Sequence, residues 1–165
     1  MVIIMRTAIF PGSFDPVTLG HLNIIERASR LFDKVIVCAV INGEKKNPMF
    51  TPEQRLELLK VSTEQLGNVE AAMWRGLMTD FARDHGAITV VRGTRCGSNF
   101  DDEYAMAQIY SSLCPGLDMV VIPAKPELAH ISSTMVREMV KYGQPLEKYM
   151  PLKAAELVKG WKNNG

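Results

Sequence analysis

Five short segments dense in β-branched and apolar residues recur along the chain, at Arg6–Phe10, Lys34–Ile41, Asn68–Trp74, Ala87–Arg92 and Asp118–Ile122, with helical periodicity in the intervals. A β-α-β-α order leaves few ways to fold. It predicts an α/β architecture: a Rossmann-like, doubly wound parallel sheet with helices on both faces and right-handed crossovers. Ligands of such sheets bind beyond the carboxyl ends of the strands, near the switch in strand order.

The helical intervals are legible from spacing and caps. Leu22, Ile25, Ala28, Leu31 and Phe32 fall on one stripe of a helix over Leu19–Phe32, with Glu26, Arg27 and Arg30 largely off it. Thr51-Pro52-Glu53-Gln54 starts a second helix, with Thr51 as N-cap, Pro52 in the first helical position and Gln54 closing a capping box; Leu56, Leu59 and Leu66 continue it. Further helices are expected at Leu77–His85, Phe100–Leu113, Ser132–Lys141 and Leu152–Trp161. Neither repeat nor linker interrupts the pattern, so 165 residues read as a single domain over 1–165, with a fraying tail from about Gly160.

Composition excludes more than it assigns. A net charge of +1 offers no broad electropositive surface, so no nucleic-acid role is expected. Cys38, Cys96 and Cys114 are odd in number and form no C-x-x-C pair, which points to a reducing compartment and no protein-held metal. The apolar run Met1–Met5 is too short for a signal core, and no run reaches membrane-spanning length; the expectation is a cytoplasmic protein without a membrane partner.

Four loops after predicted strands carry groups suited to phosphate. Phe10-Pro11-Gly12-Ser13-Phe14-Asp15-Pro16-Val17-Thr18-Leu19-Gly20-His21 runs from the first strand into a helix. Gly12 and Gly20 allow close backbone approach, Ser13 offers a hydroxyl, and His21 lies at a helix start. Asn42-Gly43-Glu44-Lys45-Lys46-Asn47-Pro48 follows the second strand with two adjacent ammonium groups. Arg92-Gly93-Thr94-Arg95 follows the fourth with two guanidiniums that can grip phosphate bidentately. Ile131-Ser132-Ser133-Thr134 opens a helix with three hydroxyls and free N–H groups. Each loop alone reads as an ordinary turn or cap; four at one sheet edge describe a site for a polyphosphate and a second phosphorylated ligand. Neither a G-x-x-x-x-G-K-[ST] loop nor a G-x-G-x-x-G fingerprint is present.

Gly12–His21 resembles the T/H-x-G-H signature of the nucleotidyltransferase superfamily, and Ile131–Arg137 its ISSS/T-x-x-R signature. Thr18 in the first signature, Lys-Lys-x-Pro-Met-Phe-Thr over Lys45–Thr51, and Arg-Gly-x-Arg over Arg92–Arg95 are similar to the phosphopantetheine adenylyltransferase family. That resemblance spans nearly the whole chain. It implies transfer of the adenylyl group of ATP to 4′-phosphopantetheine, giving dephospho-coenzyme A and pyrophosphate. It further implies magnesium carried mainly by ATP phosphates, a homohexamer, and coenzyme A as a feedback ligand.

By the same resemblance Ser13 touches both substrates, His21 meets the reacting α-phosphate, Lys45 bridges the two substrates' phosphates, and Arg92 grips the acceptor phosphate. Phe14, Gly93, Thr94 and Arg95 fall to ATP, Glu103 to its ribose, and Leu128, Ile131, Ser132, Ser133 and Thr134 to adenine and phosphates. Met78 falls to the pantetheine arm. Asn47 lengthens the lysine loop relative to some members and leaves Lys46 as the alternative to Lys45. Asn99-Phe100-Asp101-Asp102-Glu103 stands where the family more often has Asp-Phe-Glu-Tyr-Glu, and Leu128 where an aromatic is common.

The acceptor phosphate is already an anion near neutral pH. The implied reaction is therefore an in-line displacement that needs no general base and no covalent enzyme intermediate. A nucleotidyltransferase using nicotinamide mononucleotide or glycerol phosphate, or a non-catalytic nucleotide-binding module, are the rival readings. Thr18 and the Lys-Lys-x-Pro-Met-Phe stretch oppose the former, and the joint presence of Ser13, His21, Lys45, Arg92 and Ser132 opposes the latter.

Overall fold

The chain was analysed as a computed structural model, which describes residues 5–41, 47–95 and 100–163. Lys45, Lys46, Cys96 and Asn99 lie outside the described residues. Five parallel strands form one sheet: β1 (Thr7–Gly12), β2 (Lys34–Val40), β3 (Val69–Trp74), β4 (Ala87–Thr94) and β5 (Asp118–Pro123), in the order β3-β2-β1-β4-β5. The five predicted strands are all present, and the doubly wound parallel sheet is as the sequence implies. The chain winds from β1 to β3 on one side, then crosses to β4 on the other. The switch in order therefore falls between β1 and β4, where neighbouring connections diverge and leave a crevice at the carboxyl ends.

Side chains alternate across the sheet, and each face is covered. Ala8 and Phe10 of β1 and Val35 and Val37 of β2 pack on one side, against α1 (Leu19–Leu31), α2 (Pro52–Thr63), α5 (Ser133–Lys141) and α6 (Leu152–Asn163). Ile9, Ile36, Cys38 and Val90 face the other way, against α3 (Met78–Asp84) and, through Tyr110, α4 (Phe100–Leu113). Burial on both faces is why β1 and β2 read as continuous apolar runs, not as alternating strands.

The helices match expectation with three differences. Leu31, assigned to the core stripe, is 52% exposed at the end of α1, while Ile24 is buried and faces β4; a 13-residue helix turns its last residue past the edge of the sheet. α2 stops at Thr63, whose hydroxyl bonds back to the Leu59 carbonyl, and Leu66 packs on the core from the following turn. α6 runs through Gly160 and Trp161 to Asn163, two residues past the expected helix end, and the Trp161 ring packs 6.0 Å from that of Phe50. Lys153–Glu64 and Lys159–Glu147 ion pairs tie the same helix to its neighbours. A 3₁₀ turn at Pro126–Leu128, not foreseen, leads from β5 toward α5.

His85 and Cys38 have structural surroundings. His85 ends α3 with Nδ1–H donating to the Phe81 carbonyl at 2.8 Å and its ring stacked on Phe81, and burial pushes the Cys38 thiol up to about 12. Among the described residues no helix is long and apolar enough to cross a membrane.

The Thr51 capping box is present as predicted, Thr51 Oγ1 accepting from Gln54 N–H and Gln54 Oε1 from Thr51 N–H. Thr51→Ala should lower stability by roughly 1 kcal/mol, read as a shifted urea midpoint at constant slope. An unmoved midpoint would show that Pro52 and core packing hold the helix start without the cap.

Candidate active site

The crevice at the switch point is a cavity of about 350 Å³, lined by the ends of β1 and β4, the first turn of α1, and the start of α5. Twelve sequence-predicted residues meet there: Ser13, Phe14, His21, Arg92, Gly93, Thr94, Arg95, Leu128, Ile131, Ser132, Ser133 and Thr134. Glu103 and Met78 do not line it. Met78 is buried with Ile9, Ile36 and Phe81 under α3, and Glu103 lies behind Arg92.

The β1 loop is shaped by close packing. A Cβ on Gly12 would stand 3.0 Å from the Phe14 ring, tighter than ordinary packing, so glycine eases the fold-back of the chain here. Phe14 takes φ 44°, a left-handed conformation costly for a bulky side chain, and is 2% exposed. Its ring meets Phe10 edge-on at 5.4 Å and His21 at 5.0 Å. Phe14 was assigned to ATP; its principal contact within the chain is as a wall behind the histidine.

His21 is fixed by an unusual capping box. Thr18 is the N-cap of α1: its Oγ1 accepts His21 N–H at 3.3 Å, and its own N–H donates to His21 Nδ1 at 3.1 Å. The imidazole thus fills the role of the glutamate or glutamine that usually closes the box. A main-chain N–H can only donate, so Nδ1 is an acceptor and the neutral ring carries its proton on Nε2. Burial above all, then the charges of Arg95 and Arg92, push the His21 pKa down to about 4. Leu19 N–H is taken by the Tyr149 carbonyl at 2.9 Å, which leaves Gly20 N–H as the first-turn donor these caps do not claim.

The cations are braced. Arg92 donates Nε–H and Nη2–H to the two Glu103 oxygens at 2.8 and 3.0 Å and Nη1–H to the Pro11 carbonyl at 3.2 Å. The fork expected to be open for phosphate is therefore occupied on one edge by a carboxylate, and the bonds to Glu103 raise the guanidinium pKa further. Arg95 Nη1–H donates to the Ile131 carbonyl at 3.2 Å, joining the β4 loop to the start of α5. Gly93 allows β4 to approach α1, since a Cβ there would lie 3.2 Å from Ile24.

Of the three hydroxyls expected to face an anion at α5, Ser133 donates within the chain, while Ser132 and Thr134 accept and keep their O–H to donate. Ser132 caps the helix by accepting Met135 N–H, Ser133 Oγ donates to the Pro16 carbonyl at 2.8 Å, and Thr134 Oγ1 accepts from Arg137 Nη2–H at 3.0 Å. α5 offers a ligand its opening N–H groups, the O–H of Ser132 and Thr134, and Arg137, which sequence reasoning quoted without a role.

Asp15 and Arg55 were missed as well. Asp15 accepts Met49 N–H at 3.1 Å and Phe50 N–H at 2.9 Å, its carbonyl accepts Arg137 Nη1–H at 2.7 Å, and Arg55 Nη1–H donates to the Ser13 carbonyl at 3.0 Å. The available signal was that Asp15 and Arg137 each sit inside a signature. Among the described residues, Arg92, Arg95 and Arg137 line the cavity and no carboxylate does, so it suits polyanions.

The cytidylyltransferase-like family matches residues 9–139. The phosphopantetheine adenylyltransferase of Chloroflexus aggregans is 46% identical over 98% of this chain and all of its own, and that of Symbiobacterium thermophilum is 44% identical over 89% and 90%. A bifunctional NMN adenylyltransferase/ADP ribose pyrophosphatase from Francisella tularensis, solved with AMP and a manganese ion, superposes with TM-score 0.70 at 18% identity, over 97% of this chain and 50% of that one. That likeness concerns the fold.

Because the folded-state pKa of His21 lies below the ordinary 6.5, its ring stays neutral where the unfolded chain would be protonated. The group adds no pH dependence above about 6.5 and costs stability as pH falls toward 4. Long-range ¹H–¹⁵N spectra at pH 5.5 should show His21 as the Nε2–H tautomer. An imidazolium signature at that pH would overturn the assignment.

Proposed function

The chain belongs to the phosphopantetheine adenylyltransferases of the cytidylyltransferase-like family, and we propose that its switch-point cavity performs their reaction by direct in-line displacement. The enzyme transfers the adenylyl group of ATP to phosphopantetheine in coenzyme A biosynthesis. An oxygen of the acceptor phosphate attacks the α-phosphorus; the new P–O bond forms as the bond to the bridging oxygen breaks, and the electron pair leaves with pyrophosphate. The nucleophile needs no deprotonation, so alignment and charge stabilisation carry the catalysis.

The observation that carries this reading is the neutral His21 ring, its donor on Nε2, in a cavity whose lining it shares with Gly20, Arg92 and Arg95. Such a ring can donate to an α-phosphate oxygen and is poorly suited to take a proton. In our reading Ser13 lies between the two substrates, Arg92 takes the acceptor phosphate, and Arg95 with the opening of α5 takes the nucleotide phosphates. Lys45 bridges the two substrates' phosphates. Leu128 and Ile131 supply apolar wall for adenine, and Met78 belongs to the support under the pantetheine arm.

No group of three or more metal-ligating side chains occurs among the described residues, and the cavity wall carries only neutral oxygens such as those of Ser13 and Thr134. This donor set fits a magnesium ion that arrives on the triphosphate. When bound, the ion neutralises phosphate charge and stabilises the leaving pyrophosphate.

The setting is proposed to be the cytoplasm and the assembly a homohexamer. Phe100, Tyr104, Ile109 and Leu113 of α4 are each about half exposed or more, which supports a protein partner on that face. Coenzyme A carries the product's own arm and nucleotide and is the proposed feedback ligand.

His21→Ala should bind ATP with little change yet lose about 100- to 1,000-fold in kcat and kcat/KM together, as on deleting an oxyanion donor. Pyrophosphate release measures this, and a near wild-type rate would end the account. Lys45→Ala should depress turnover far more than Lys46→Ala; equal, mild losses would mark the loop as a solvated one.

A further inference from the structure

Arg55 is a buried cation that the reaction as described does not use. It is the fourth residue of α2 and 5% exposed, near the helix end whose dipole disfavours positive charge. Among the described residues it forms no ion pair. Its Nε–H is the one buried side-chain polar group among them without a hydrogen-bond partner. The guanidinium donates Nη1–H to the Ser13 carbonyl at 3.0 Å. Burying a cation and orphaning a donor both cost stability. An apolar side chain of similar length would fill the same space without either cost. What arginine supplies there, and such a residue could not, is the bond to Ser13.

That bond falls where the cavity needs a fixed backbone. Ser13 lines the cavity between Gly12, the end of β1, and Phe14 in its left-handed conformation. The loop and the start of α2 are tied in both directions: Met49 and Phe50, just ahead of the helix, donate to the Asp15 carboxylate, and Arg55 within it donates back to Ser13. Arg55 itself does not line the cavity. We propose that Arg55 is a positioning residue, which holds the Ser13 carbonyl from α2 and so places the Ser13 hydroxyl between the two substrates. A hydroxyl fixed beforehand meets the developing charge without reorganising. The proposal deepens the reading of Ser13 given above and rests on it.

The test pairs stability with kinetics. Arg55→Met, of similar length and without charge, should move the melting temperature by no more than about 4 °C, the scale of one hydrogen bond in a domain of this size. It should lower kcat roughly 10- to 100-fold, the scale of misplacing an aligned group. KM for each substrate should stay within about threefold, since what is lost acts in the transition state. Arg55→Lys, which can still donate to the carbonyl, should keep more of the rate than Arg55→Met; equal losses would show that the hydrogen bond is not what matters. In a Ser13→Ala background Arg55→Met should add at most about twofold, because a residue that acts through another has no effect once that other is gone. Losses that multiply would overturn the proposal. A melting temperature lowered by more than about 10 °C with kcat unchanged would reduce the bond to a structural tie.

A second readout does not depend on activity. In a crystal structure of Arg55→Met, Ser13 Oγ should lie about 1 Å from its wild-type place, or its displacement factors should rise above those of Gly12. Ser13 unmoved and equally ordered would show that Arg55 does not place it. A near wild-type rate in Ser13→Ala would instead refute the reading of Ser13 between the substrates, with the crystallographic comparison still judging Arg55.

Discussion

Asp15 joins three stretches of chain that are far apart in sequence. Its carboxylate takes the two N–H groups of Met49 and Phe50, which begin the segment that becomes α2, and its carbonyl takes Arg137 from α5. A carboxylate at 7% exposure is costly unless its oxygens are satisfied. Here two backbone donors, and the Arg137 guanidinium 4.0 Å away, provide that satisfaction. With Arg55 bonded to the Ser13 carbonyl from α2, the loop after β1 is held from both flanks. The cavity has a shape because that loop has little freedom.

The electrostatics follow from this scaffold. Among the described residues three arginines and no carboxylate line the cavity, an arrangement that repels itself in the absence of an anion. The chain moderates the repulsion from behind: Glu103 pairs with Arg92, the Ile131 carbonyl receives Arg95, and the Asp15 carbonyl and Thr134 hydroxyl receive Arg137. The same field and the enclosure by Phe10 and Phe14 keep His21 neutral. A histidine that might have been read as an acid or base is thereby committed to donating a hydrogen bond.

Much of the site was legible because its loops follow strands, and strands in a parallel sheet place their following loops at one edge. The glycines, arginines and Ser13 could be gathered on that ground alone. The partners of those groups were less legible. Around Ser132-Ser133-Thr134 the Met135 N–H and Arg137 partners lie within one helical turn, whereas the Pro16 carbonyl that receives Ser133 depends on where α5 lands. Arg92 looked like an open fork because its carboxylate partner lies 11 positions away in the sequence. Leu31 satisfied the helical period yet lies exposed, because periodicity gives direction and not the extent of the sheet beneath.

The sequence by itself determined the order of strands and helices, the caps at Thr51 and Ser132, and the set of loops that carry phosphate chemistry. These depend on spacing, propensity and hydrogen bonds within a few residues. Tertiary structure alone decided which carbonyl or carboxylate each arginine meets and that burial keeps the His21 ring neutral. It also decided that Asp15 and Arg137, 122 positions apart, close the site together. Those outcomes require burial and a fixed long-range geometry, and no local pattern encodes the distance between two groups that meet only after the sheet has formed.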